Sequence, residues 1–98
     1  MKTTKKFYVY MLTNYTNKLL YVGMTSNLPK RIHQHKTKYY PGFTNKYNIN
    51  KLVYYEEYSS SLDATKRERQ LKGFVRRKKD ALVNTNNLDW IELKIPFV

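Results

Sequence analysis

Phe7-Tyr8-Val9-Tyr10-Met11-Leu12, then Thr13-Asn14-Tyr15-Thr16-Asn17, then Leu19-Leu20-Tyr21-Val22-Gly23, is the stretch whose reading decides the fold. The first segment is aromatic and β-branched, as a strand requires. The second has turn chemistry, and the third reads as the returning strand. The two strands make a hairpin. A turn centred on Tyr15 and Thr16 would place Tyr10 directly opposite Tyr21, with both side chains on one face. A one-residue slip would turn one of them away.

Downstream of the hairpin, a helix is predicted from about Asn27 to Lys36, with Asn27 as N-cap and Pro29 tolerated in the first turn. Leu28 and Ile32 are spaced for its buried side, and Arg31 and His35 share an adjoining face. The segment from Tyr39 to Asn50, which contains Pro41-Gly42, reads as a loop. Lys51 to Tyr58 is a third strand, and Leu52-Val53-Tyr54-Tyr55 suggests burial on both sides. A second helix starts at the Ser60 cap and runs to about Lys72, where Gly73 ends or kinks it. Helix resumes over Phe74 to Val83, Asn84 to Asn87 is a loop, and Leu88 to Val98 is a tail in which Trp90 and Leu93 dock on the core. The order is β-β-α-β-α-α. This is an α+β fold, a small three-stranded, mainly antiparallel sheet flanked by helices.

The 98 residues are expected to form one domain over 1–98, with its core at about 7–93. Nineteen Lys and Arg against seven Asp and Glu give a net charge of +12, which attracts polyanions. Nucleic acid is the expected partner, and a merely basic protein or a binder of acidic membranes is the alternative. With no cysteine there is no disulfide and no thiolate zinc site. The basic start Met1-Lys2-Thr3-Thr4-Lys5-Lys6 precedes an apolar run too short for a signal peptide or a membrane span, so the cytoplasm is the expected location.

Glu68 is the hardest residue to place. Ala64, Glu68, Leu71 and Val75 fall on one helix face, and a carboxylate in an apolar stripe costs free energy unless paired. It lies at the stripe's edge, reaching solvent or pairing with Lys72, or it is a metal ligand or a charge held by a nearby arginine. Arg31 and His35 either form a solvated face or an apparatus for phosphate, since guanidinium binds phosphoryl oxygens in pairs and imidazole moves protons near neutrality. His33 and His35 diverge by about 200° on a helix and do not make a zinc site. Lys66, Arg67, Arg69, Lys72, Arg76, Arg77, Lys78 and Lys79 form a basic band, read as phosphate contacts or a solvated face. Tyr39, Tyr40, Tyr47, Tyr54, Tyr55 and Tyr58 alternate with lysines, a mixture that suits stacking on unpaired bases as well as packing. There is no glycine-rich phosphate loop, nucleophile elbow or Cys–His pair.

Tyr8-Val9-Tyr10 followed by Tyr21-Val22-Gly23 resembles the paired signature of the GIY-YIG nuclease superfamily. Arg31 stands ten residues after the second tyrosine, His35 four beyond it, and Glu68 on a later helix completes the set. The likeness covers about residues 7–93 and extends to small stand-alone bacterial members and to the catalytic domain of the excision-repair incision subunit. Departures are Tyr8 and Val9 in the first triplet, Asp80 where many relatives carry Asn, and Met24 where some repair relatives carry Lys.

The resemblance implies a DNA endonuclease of repair, recombination or processing that hydrolyses a phosphodiester bond and leaves a 5′ phosphate. It implies one divalent ion, Mg²⁺ or Mn²⁺, on Glu68, and catalytic roles for Tyr10, Tyr21, Arg31, His35 and Glu68, with either tyrosine as the base. Lys30, Lys36, Lys66, Arg69, Lys72, Arg76, Arg77, Lys78 and Lys79 are the expected nucleic-acid contacts. The expected target is DNA, with branched, flapped and damaged forms all open, and with no membrane and no small-molecule cofactor. The rival classes are a non-catalytic nucleic-acid-binding module and a small ribosome-associated basic protein.

Overall fold

In a computed structural model, residues 5–39 and 41–95 are described. The first four residues, Tyr40 of the tyrosine set and the last three residues of the tail lie outside them. The elements are β1 (Phe7–Thr13), β2 (Leu20–Thr25), α1 (Leu28–Lys36), α2 (Phe43–Lys46), β3 (Lys51–Tyr58), α3 (Ser61–Lys72) and α4 (Arg76–Asn86). The three strands form an antiparallel sheet in the order β2-β1-β3. The expected α+β order holds for the longer elements. The single-turn α2 is added within the segment read as a loop.

β1 is the central strand, which explains its unbroken apolar run: both of its faces are covered. Tyr8, Tyr10 and Leu12 point to one side and pack with Leu28 and Ile32 of α1, and with Ile49 and Leu52. Val9 and Met11 point to the other and pack with Val22, Val53, Ala64, Leu71, Val83 and Trp90. The sheet is thus sandwiched, with α1 on one face and α3 and α4 on the other. Among the described residues, no helix is long and apolar enough to cross a membrane.

The hairpin register differs from the expected one by two residues. Tyr10 pairs with Gly23, and Tyr21 pairs with Leu12. The cause is the turn. The Asn17 amide donates to the Asn14 carbonyl at 2.9 Å, and Asn17 adopts φ 61°. The Asn14 side chain accepts from the amides of Lys18 and Leu19 at 3.0 and 3.1 Å. The turn is therefore centred between Thr16 and Asn17. A two-residue slip preserves the face, so Tyr10 and Tyr21 remain on the same side as diagonal neighbours.

Two further corrections concern the second half. Val75 does not continue the Ala64–Leu71 stripe. It is extended, precedes α4 and is 63% exposed. α4 begins at Arg76 rather than Phe74 and absorbs Asn84–Asn86, which were expected in a loop. The break is local: Gly73 closes α3 and its amide bonds back to the carbonyls of Arg69 and Gln70. As expected, the tail docks through Trp90 and Leu93. The Trp90 indole donates to Asn84 at 2.7 Å, and the Leu93 amide donates to the Leu52 carbonyl at 2.8 Å. Asn87 donates to the carbonyls of Val53 and Ile91. The Val53 bond caps the irregularity in β3 opposite Met11 and Leu12.

Candidate active site

The site is built where β1, β2, α1 and α2 meet. Tyr10 is fully buried, and its ring lies over Gly23 on the neighbouring strand. The Tyr10 hydroxyl is 3.2 Å from His35 Nε2, and His35 Nδ1 is 3.1 Å from the Thr44 hydroxyl. Tyr21 completes an aromatic triangle, with ring centroids 6.3 Å from Tyr10 and 5.7 Å from His35. Helix α1 carries Arg31 and His35 on one face, as their spacing requires. Its cap is Asn27, whose side chain accepts from the Lys30 amide at 3.1 Å. Beyond Thr37, Lys38 takes φ 57° and turns the chain back beside α1. That turn places Thr44 of α2 against His35.

Electrostatics set the charge states in this group. Burial, then the neighbouring Tyr21, pushes the Tyr10 phenol well above its ordinary range, and Glu68 adds to the rise. The Arg31 guanidinium, within bonding range of the hydroxyl, opposes it. Tyr10 therefore holds its proton. Burial and Arg31 lower the His35 pKa, so the imidazole is neutral at pH 7. A neutral imidazole has one donor and one acceptor. In one neutral tautomer Tyr10 donates to Nε2 and Nδ1–H donates to Thr44; in the other both bonds run the opposite way. In front of this chain lies a cleft of about 280 Å³, lined by Tyr21, Arg31, Gln34, His35, Lys38 and residues of the α2 segment.

Glu68 stands apart from the triangle. It projects from α3 with its side chain 22% exposed and its carboxylate paired to Lys72 Nζ at 3.3 Å. The Lys72 pairing weighed from sequence is thus present. No group of three or more His, Cys, Asp or Glu that could hold a metal occurs among the described residues. This donor set does not fit a closed protein cage. It fits a hard divalent ion that keeps several waters and takes its remaining oxygens from a phosphate, with Glu68 as the one protein carboxylate.

The basic band divides on inspection. Arg67 is internal: its Nε and Nη2 hold both oxygens of Glu56 at 2.9 and 3.0 Å, while Tyr54 and Tyr58 donate to the same carboxylate. Arg76 is also committed. Its guanidinium donates to Asp80 and to the carbonyls of Lys18 and Asn17 at 2.6–2.7 Å, clasping α4 to the hairpin turn. Lys36 pairs with Glu92, and Lys72 with Glu68. Lys30, Lys66, Arg69, Arg77 and Lys78 are exposed, and Lys79 is partly so. Thr44 and the Glu56 network were not anticipated from sequence. A hydroxyl in a loop carries no signal until its partner's position is known.

The GIY-YIG catalytic domain family matches residues 6–81, which include every residue of this site. A UPF0213 protein of Limosilactobacillus reuteri is 32% identical over 93 residues, covering 93% of this chain and 96% of that one. A UPF0213 protein of Syntrophus aciditrophicus is 38% identical over 82 residues, covering 83% and 93%. The solution NMR structure of a UPF0213 protein from Bacillus halodurans superposes with a TM-score of 0.56 at 27% identity, covering 87% of this chain and 89% of that one.

Proposed function

Since the chain belongs to the GIY-YIG catalytic domain family, a nuclease family, we propose that it is a metal-dependent DNA endonuclease that hydrolyses a phosphodiester bond and leaves a 5′ phosphate, in repair, recombination or processing of DNA in the cytoplasm. The observation that carries this reading is the chain Tyr10–His35–Thr44 set behind the Arg31 cleft.

Arg31 binds the scissile phosphate and offsets the charge that grows on it. Tyr10 accepts a proton from the attacking water while passing its own to His35 Nε2, so no free phenolate has to form in a buried position. Thr44 keeps His35 in the tautomer that receives it. Tyr21 borders the cleft and orients the water. Glu68 would hold one Mg²⁺ or Mn²⁺, which when bound supplies Lewis-acid stabilisation of the leaving 3′ oxygen. Lys66, Arg69, Arg77 and Lys78 hold flanking phosphates.

The test is a cleavage panel of branched, nicked, single-stranded and duplex DNA with Mg²⁺ or Mn²⁺, with end-group analysis of the products. Strand breaks bearing 5′ phosphate support the reading. Salt-dependent binding without cleavage of any substrate under either metal contradicts it and identifies a binding module instead.

A further inference from the structure

α2 has a second role besides orienting His35. Its first residue, Phe43, is 53% exposed at the mouth of the cleft that Arg31 and His35 line. Large apolar rings at a cleft mouth need an explanation when they are fixed in place rather than scattered. Phe43 is fixed from two sides. Tyr47, one turn on, backs it with ring centroids 4.9 Å apart, and Lys46 lies over the Tyr47 ring. Thr44, the next residue, is bonded to His35. The ring thus has a set position relative to the catalytic imidazole. The charge around it selects the occupant. Arg31 and Lys38 line the cleft, and none of its described lining residues is acidic. An apolar peptide gains nothing from these cations. A nucleotide matches both features, a phosphate for the cations and a π-face for the ring.

We propose that Phe43, backed by Tyr47, is a stacking platform for an unpaired base adjoining the phosphate held by Arg31, so that the preferred substrate is DNA carrying a single-stranded nucleotide at the cleavage point. This rests on the nuclease reading for the position of the phosphate. A base paired within continuous duplex has its faces covered by its neighbours, and stacking on Phe43 requires it to leave them. A flap, fork or single strand presents the base already free.

The experiment is a titration of the full chain, with chelator present so that no cleavage intervenes, into oligonucleotides containing 2-aminopurine. One carries the fluorescent base in a single strand and one carries it inside a duplex. Stacking on Phe43 quenches the single-stranded probe. Phe43→Ala is expected to abolish the quenching and weaken single-strand binding about five- to a hundredfold, with duplex affinity unchanged and Phe43→Trp restoring both signals. Equal quenching by wild type and Phe43→Ala overturns the proposal. So does an equal loss of single-strand and duplex affinity, which makes Phe43 only a support of α2. Because the readout needs no turnover, the two readings fail separately. Cleavage of DNA alongside an unaltered Phe43→Ala titration sinks the platform alone. Phe43-dependent quenching supports the platform even in a protein that cuts nothing.

Discussion

Gly23 is the surface on which the ring of Tyr10 lies. A Cβ added at Gly23 would stand 2.5 Å from both Cζ and the hydroxyl oxygen of Tyr10. The glycine of the second triplet and the last tyrosine of the first are thus one packing unit across the β1–β2 pair. The absent side chain gives the phenol room to reach His35. Gly23→Ala therefore has to push the Tyr10 ring off its position. Overpacking of this kind costs about 1–3 kcal/mol. Thermal denaturation should show a lowered midpoint, and any strand cleavage should fall further than that instability explains.

Tyr10→Phe keeps the ring and removes the hydroxyl. Its expected effect is a loss of cleavage of about 10²–10⁴-fold with the fold retained, read from single-turnover rates beside circular dichroism. Unchanged turnover would move the base to Tyr21.

Cleavage should also report His35. The imidazole pKa is lowered by burial and Arg31, so the competent neutral form persists to below the ordinary value of about 6.5. The rate is expected to be flat through neutrality and to fall only as pH drops through this lowered pKa. The stability consequence has the same sign. Below about pH 6.5 the unfolded chain binds a proton that the folded chain resists, so stability falls as pH falls from there toward the folded-state pKa. A pH–rate profile and pH-dependent urea melts check the two statements.

The Glu56 cluster fastens α3 to β3. Burial alone would raise the Glu56 pKa, but hydrogen bonds from Arg67, Tyr54 and Tyr58 outweigh it and hold the carboxyl below the usual range. Glu56→Ala leaves Arg67 and two phenols short of their acceptor, at a cost of about 1–3 kcal/mol. Because the pKa is depressed, the contribution is present above the ordinary carboxylate range and is lost as pH falls through the folded-state value. Chemical denaturation at pH 7 and in acid should show the variant's deficit shrinking at low pH.

Much of the fold is legible in the amino-acid sequence. The three strands were read in place, Leu28 and Ile32 marked the buried side of α1, and Asn27 and Ser60 served as caps; two-sided burial was expected of the third strand, whereas β1 is the central one. The misread parts depend on contacts that local sequence does not encode. The Asn14 side chain sets the hairpin register. Asn, Gly and Pro around 41–48 hid a one-turn helix whose purpose lies in Thr44 and Phe43. The basic band looked uniform, but which arginines face inward depends on where Glu56 and the hairpin turn sit.

That division predicts two different phenotypes. Arg77→Ala with Lys78→Ala removes exposed cations and should weaken DNA binding while lowering its salt slope by about two. Arg76→Ala should leave the salt slope unchanged and lower the melting temperature, because it releases the hairpin turn from α4. Binding isotherms across a salt series separate the two.

In the proposed function Tyr10, Tyr21, Arg31, His35 and Glu68 form one nuclease centre. Glu68→Ala tests it most directly, in Mg²⁺-dependent nicking of DNA measured beside binding, on protein cleared of contaminating nucleases. Nicking is expected to be abolished while DNA binding stays within about twofold of wild type, since the partly exposed Glu68–Lys72 pair contributes little to either folding or affinity. Nicking at the wild-type rate in Glu68→Ala would contradict it.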